Sequence, residues 1–232
     1  LADPVELVGR YGTDAVRWWL LREVPRVGDA DFTVERLVER ANQDLANGLG
    51  NLVSRVTSLV YARDQQAAES SRAEPREPEE AARAAAELLE AIDQAAGRVR
   101  AGLEDYDFRA AAAAIWAIVD RANRYAELSE PWRLARAARD GDLAAAAGRD
   151  LALGRLLEAC RALAGELAPF VPGLAASIGT ACGGPDGVVP QPRPLFPRLT
   201  AAEPEQTAVP QTTLPQTAVI KRPLAAANKS VL

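Results

Sequence analysis

The 232 residues carry a formal net charge of −5, contain no histidine, and are 48% hydrophobic. That is enough apolar material for one sizeable core, while the acidic balance excludes a protein that coats nucleic acid by bulk electrostatics. Any RNA contact therefore has to be local.

Alanine and leucine dominate and aromatic residues make up only 5%, so intrinsic propensity points to an all-α fold. Without histidine no Ser/His/Asp or Cys/His arrangement can be built. Cys160 and Cys182 lie far apart in sequence with no Cys-x-x-Cys partner, which reads as buried or free thiols in a reducing cytoplasm and not as a zinc site. Gly183-Gly184 runs into Pro185 and Asp186, so no Lys-Ser/Thr follows to hold a nucleotide. These absences leave no catalytic residue and no metal ligand to assign. No apolar run reaches the roughly 20 residues that span a bilayer, and the expectation is a cytoplasmic chain with no membrane partner.

In chain order, Asp3-Pro4-Val5-Glu6 predicts a helix start with Asp3 as N-cap and Pro4 in the first turn, ending before Gly12. Thr13-Asp14 opens a second helix, with Ala15, Val16, Trp19 and Leu20 on one face and Trp18 and Trp19 as packing residues. Pro25 to Asp31 is a turn. Thr33 then caps a long helix from about Val34 to Arg63, with Leu45, Leu49, Leu52, Val53, Val56 and Val60 as its buried stripe. At about 100° per residue, Asn47, Asn51 and Arg55 project from a separate polar strip.

Gln65 to Glu80, with Pro75 and Pro78, predicts an exposed loop. Helices over about Ala81 to Leu103 and Phe108 to Leu128 follow, the latter burying Phe108, Ala112, Ile115, Val119, Ala122 and Ala126. Ser129-Glu130-Pro131-Trp132 marks a break, with Ser129 capping a new helix and Trp132 thrown out near the surface. Gly141 is a turn. A long pattern from Leu143 to Leu167 points Leu153, Leu156, Leu157, Cys160 and Leu163 inward, and Pro169 and Pro172 flank a last short helix. Pro194-Leu195-Phe196-Pro197-Arg198 reads as an extended docking segment, and beyond Thr200 the composition, which holds the only lysines, Lys221 and Lys229, predicts disorder.

Taken together, three stretches resemble the methionyl-tRNA synthetases, a class I synthetase family. They are Asp3 to Leu7 with Arg10-Tyr11-Gly12-Thr13-Asp14-Ala15-Val16-Arg17, then Asn42 to Arg55, then Asn123-Arg124-Tyr125 with Glu130-Pro131-Trp132-Arg133-Leu134-Ala135. The ending Pro194 to Arg198 is similar too, so the resemblance covers about residues 1–199. It implies a stem-contact-like helical module over 1–30, an antiparallel anticodon-binding bundle over 31–182, an extended segment over 183–199 and a tail over 200–232.

The resemblance further implies recognition of the CAU anticodon of tRNA(Met), with RNA and not DNA as the nucleic-acid partner. Its anticodon-binding positions carry over onto Asn51, Arg55, Pro131 and Trp132. Asn47 stands either as a further contact or as a hydrogen-bonding residue within the bundle. Asp14 and Arg17 read as braces of the first module. An unpaired base can stack on an indole, worth about 1–3 kcal/mol, while an amide and a guanidinium bond its edges. Taken singly, Asn51 is as readily a surface residue, Arg55 a partner of Asp44, and Trp132 a hydrophobic lid.

The family's HIGH-type motif, KMSKS-type loop, amino-acid pocket and zinc-binding insertion have no counterpart here, nor does an appended oligonucleotide-binding barrel. On the resemblance, the chain begins just after the KMSKS-type loop. ATP and zinc then belong to an upstream catalytic domain, which becomes a second partner, and this chain is not catalytic by itself. The alternative is a free-standing helical interaction module that no longer reads tRNA.

Overall fold

The computed structural model describes residues 3–65 and 73–201. Among them are nine α-helices, one π-helical segment and no strand. Two helices open the chain, α1 (Pro4–Tyr11) and α2 (Thr13–Glu23). Asp3 caps α1 by accepting from the Val5 amide at 2.8 Å. Gly12, at φ +84°, makes the turn between the two helices, a left-handed excursion that glycine makes without a Cβ penalty.

The long helix foreseen from Val34 is one rod with a change of register inside it. Helix α3 (Val34–Arg40), capped by the Thr33 hydroxyl, passes into a π-helical segment (Ala41–Gly50) and then into α4 (Asn51–Asp64). At the far end of the segment the Asn51 amide bonds the Ala46 carbonyl five residues back. Gly50 fits this register because a Cβ there would stand 2.9 Å from the Leu45 carbonyl oxygen. All six residues of the foreseen apolar stripe, from Leu45 to Val60, are buried.

Helices α5 (Glu79–Glu104) and α6 (Phe108–Ser129) form an alanine-rich hairpin. A Cβ on Gly102 would meet the Ala111 amide nitrogen at 2.8 Å, so the hairpin closes on backbone contact. Helices α7 (Pro131–Arg139), α8 (Leu143–Leu167) and α9 (Pro172–Ala181) complete the bundle, with Asp142 capping α8 through the Ala145 amide at 2.9 Å.

Two apolar clusters hold this together. The larger joins α2, the rod, α5, α6, α8 and α9, and places Trp18 against Trp116 at 5.2 Å between ring centres. Burying an indole of that size contributes up to roughly 4–6 kcal/mol. The smaller contains Tyr11, Ala15, Val16, Trp19, Leu37, Val38 and Ala41, with Trp19 edge-on to Phe32 at 4.8 Å. Phe196 packs against both clusters.

Asp14 and Arg17, foreseen as braces, reach across to the other end of the bundle. The Asp14 carboxylate accepts from the Leu174 amide at 2.6 Å and the Gly173 amide at 3.4 Å, serving as a tertiary N-cap for α9, which has no side-chain cap of its own. Arg17 donates to the Pro169 and Phe170 carbonyls at 2.6 and 2.8 Å, satisfying backbone oxygens of the turn between α8 and α9.

Several expectations are corrected. Leu20, foreseen on the buried face of α2, is 49% exposed, whereas Trp18 and Trp19 are buried as foreseen, because α2 serves two clusters on different sides. Phe108 sits at the mouth of its hairpin and is 37% exposed. Ser129 ends α6, its hydroxyl donating to the Tyr125 carbonyl at 2.7 Å, and so does not cap α7. In the foreseen loop from Gln65 to Glu80, residues 66–72 lie outside the described set and α5 has already begun at Glu79. Residues 73–78 form a largely exposed loop, as foreseen, and one tied to the bundle. The Tyr125 hydroxyl and Arg155 both donate to the Glu77 carboxylate, and the Arg76 amide donates to the Ala144 carbonyl. The tail from 202 lies outside the described residues. Both cysteines are free and buried.

Candidate RNA interface

The junction between α6 and α7 sets the position of the foreseen indole. Proline disfavours the right-handed helical region for the residue before it, and Glu130 accordingly leaves α6 at φ +43°, ψ +54°. A left-handed conformation at a non-glycine residue costs on the order of 1 kcal/mol. It is held by the Glu130 amide bonding Ala126, by the Glu130 carbonyl accepting from the Arg133 amide, and by a 2.8 Å ion pair to the Arg133 side chain. Pro131 is buried under this turn and Trp132, one residue on, is 38% exposed.

Helix α4 packs beside α7 and carries Asn51 and Arg55 one turn apart, both exposed. The Arg55 guanidinium carbon lies 5.7 Å from the centre of the Trp132 ring, a cation–π contact between two of the positions that the resemblance implied. The structure thus brings Arg55, Pro131 and Trp132 together, with Asn51 one turn along the same helix.

The alternative Arg55 partner is already occupied. Asp44 is 4% exposed, accepts from the Trp18 indole at 3.0 Å, and faces Arg40 at 3.5 Å and Arg22 at 3.9 Å. Asn47 is also committed within the chain, since its side-chain oxygen accepts from Arg198 at 3.1 Å. Asn42 makes a double amide clasp with the backbone of Leu199, donating to its carbonyl and accepting from its amide, both at 2.8 Å. The pairing of the π-helical segment with residues 198–199 has no signal in local sequence, because its partners lie more than 150 positions apart.

Beneath the junction the Tyr125 ring lies under the Arg155 guanidinium at 5.8 Å. Burial pushes the Tyr125 phenol up to about 12, against the opposing effect of Arg155, so it stays a hydrogen-bond donor to Glu77. Beside it, a cleft of about 570 Å³ runs between α7 and residues 76–78, with Arg76, Glu130, Arg133, Arg136 and Asp140 on its walls. No group of three or more His, Cys, Asp or Glu side chains able to hold a metal occurs among the described residues. No helix among them is long and apolar enough to cross a membrane.

A family model described as tRNA synthetases class I (M) matches residues 2–57. The methionine–tRNA ligase 1 of Bacillus cereus is 34% identical over 171 residues, covering 74% of this chain and 24% of that protein. The methionine–tRNA ligase of Brucella suis is 32% identical over 221 residues, covering 87% of this chain and 39% of that protein. The apo crystal structure of Mycobacterium tuberculosis methionyl-tRNA synthetase superposes with a TM-score of 0.73 at 31% identity, covering 87% of this chain and 42% of that one. The chain is homologous to methionine–tRNA ligases. It spans between about a quarter and two-fifths of the length of these relatives, and the region of likeness is all-helical here, without a sheet among the described residues.

Proposed function

We propose that this chain is the anticodon-reading part of a methionine–tRNA ligase and that Trp132, Arg55, Asn51 and Pro131 form its contact with the CAU loop of tRNA(Met). The observation that carries the reading is the meeting of Arg55 and Trp132 across α4 and α7 at 5.7 Å, at the surface of a chain whose net charge is acidic. An exposed indole beside a guanidinium offers a stacking face and edge donors to one unpaired base. Pro131 fixes the start of α7, and Asn51 supplies an amide one turn from Arg55. On this reading residues 1–30 are the module that joins the bundle to a catalytic domain, which activates methionine with ATP and holds any zinc.

The test is binding of the full chain to tRNA transcripts that carry CAU or an altered anticodon, followed by intrinsic tryptophan fluorescence. Tighter binding to CAU, lost in Trp132→Ala, is the expected result. Equal binding of both transcripts, or an unchanged preference in Trp132→Ala, would overturn the reading.

A further inference from the structure

We propose that the cleft between α7 and residues 76–78 is a second RNA site, which binds the sugar–phosphate backbone of the loop whose base stacks on Trp132, with Arg133, Arg136 and Arg76 as the phosphate ligands. This rests on the anticodon reading above.

Helix α7 is basic within an acidic chain. From Pro131 to Arg139 it carries three arginines and no carboxylate. Arg136 follows Trp132 by four residues, so it projects from nearly the same side about one turn further along. Arg133, Leu134, Arg136 and Ala137 line the cleft, which places Arg136 on the edge shared by the indole and the cleft. A strand leaving the stacked base over that edge meets Arg136 first and then enters the cleft.

The opposite wall is built to stay in place. The Arg76 amide donates to the Ala144 carbonyl at 3.3 Å, its carbonyl oxygen lies so close to Gly148 that a Cβ there would be 2.5 Å away, and the next residue, Glu77, is held by Tyr125 and Arg155.

The carboxylates at the cleft, Glu130 and Asp140 on its walls and Asp142 beside Arg76, do not cancel this reading, and none of the ion pairs among the described residues joins Asp140 to Arg76, Arg133 or Arg136. Arg133 pairs with Glu130 at 2.8 Å with 72% of its own side chain exposed, and Arg76 faces Asp142 at 3.4 Å with 66% exposed. Exposed pairs of this kind are worth about 0–1 kcal/mol, so a phosphate can compete for both guanidiniums. Arg136 has no ion-pair partner among the described residues. Guanidiniums suit phosphate because their planar fork donates two parallel hydrogen bonds. The floor, formed by Leu128, Ser129 and Ala145, presents no acidic side chain.

The two sites differ in what they control. A stack on Trp132 depends on the base, whereas phosphate contacts position a strand whatever its sequence and are felt through salt. The experiment measures the affinity of the full chain for a fluorescein-labelled anticodon stem–loop RNA, with CAU or an altered loop, over a series of salt concentrations. In Arg76→Gln/Arg136→Gln, which leaves the Arg133–Glu130 pair at the α6–α7 junction intact, the dependence of log affinity on log salt should flatten by about 0.7 for each lost single-strand contact, with the ratio of CAU to altered-loop affinity unchanged. Arg98→Gln, an exposed arginine on α5 outside the cleft, should leave the salt dependence as it was.

A double variant with the parental salt dependence overturns the cleft proposal, provided the unmodified chain prefers CAU. Loss of the CAU preference in the double variant overturns it too, by making these arginines readers of the bases. Equal binding of both loops by the unmodified chain overturns the anticodon reading itself, which separates the two failures.

Discussion

The Gly148 to Arg76 contact permits a test of sign and not only of size. Gly148 lies in α8 with a Cβ direction that points into backbone, 2.5 Å from the Arg76 carbonyl oxygen, 3.3 Å from its amide nitrogen and 3.4 Å from its carbonyl carbon. Gly154, six residues on in the same helix, has nothing within 4 Å of its Cβ position. On helix propensity alone, glycine to alanine stabilises either site by about 1 kcal/mol. At Gly148 the new methyl has to push residues 76–78 outward. That displacement costs about 1–3 kcal/mol in overpacking and strains the Arg76 to Ala144 hydrogen bond, worth about 1 kcal/mol. Gly148→Ala should therefore lose about 1–3 kcal/mol net while Gly154→Ala gains up to about 1. Thermal unfolding followed by far-UV circular dichroism resolves the difference, at about 2–4 °C per kcal/mol for a chain of this size. If Gly148→Ala is as stable as Gly154→Ala, residues 73–78 are not the fixed wall described above.

Three further outcomes are expected. Asp14→Ala should lower stability to urea by about 1–2 kcal/mol, as for loss of an N-cap, and Asp14→Asn should lower it less; equal losses would refute capping of α9. Because the Tyr125 phenol is held near 12 against an ordinary 10, the folded chain keeps the proton that the unfolded chain releases. The stability this supplies is complete below pH 10 and is lost as pH rises through 12, by up to about 3 kcal/mol. Tyr125→Phe should flatten that part of the alkaline stability curve, and an unchanged slope there would count against the shift. Trp132→Ala should weaken CAU binding about 5–150-fold, the equivalent of a 1–3 kcal/mol stack, with Trp132→Phe in between; equal affinities for the three chains in a fluorescence-anisotropy titration would refute stacking.

Much of the architecture is legible where a local rule has no competitor. Asp3 and Thr33 cap helices because each stands before an apolar period with a short acceptor side chain, and the stripe from Leu45 to Val60 is buried because periodicity requires it. The α6 to α7 junction shows a rule overruled. Ser129 has the composition of a cap, yet Pro131 already forces Glu130 out of the helical region, and the Ser129 hydroxyl turns back to Tyr125. The π-helical segment was not legible. A shift from i+4 to i+5 bonding leaves no mark in hydrophobic pattern while the same residues remain buried, and the partners of Asn42 and Asn47 come from the far end of the described chain.

The same long-range commitments decide which polar residues are left for a ligand. Asp44, an equally good partner for Arg55 by sequence, is buried under Trp18 and shared with Arg40 and Arg22. Arg55 is left facing an indole, and at an exposed site that contact is worth about 0.5–1 kcal/mol. A base stacking on the same ring is worth about 1–3 kcal/mol. On the proposed reading an incoming base has the larger claim on the indole, and the displaced guanidinium, one turn from Asn51, becomes free to bond the edge of that base. On the proposed reading, the cation–π contact at 5.7 Å is the resting arrangement of the pair, weak enough to yield and close enough to hold both side chains where a single base would meet them.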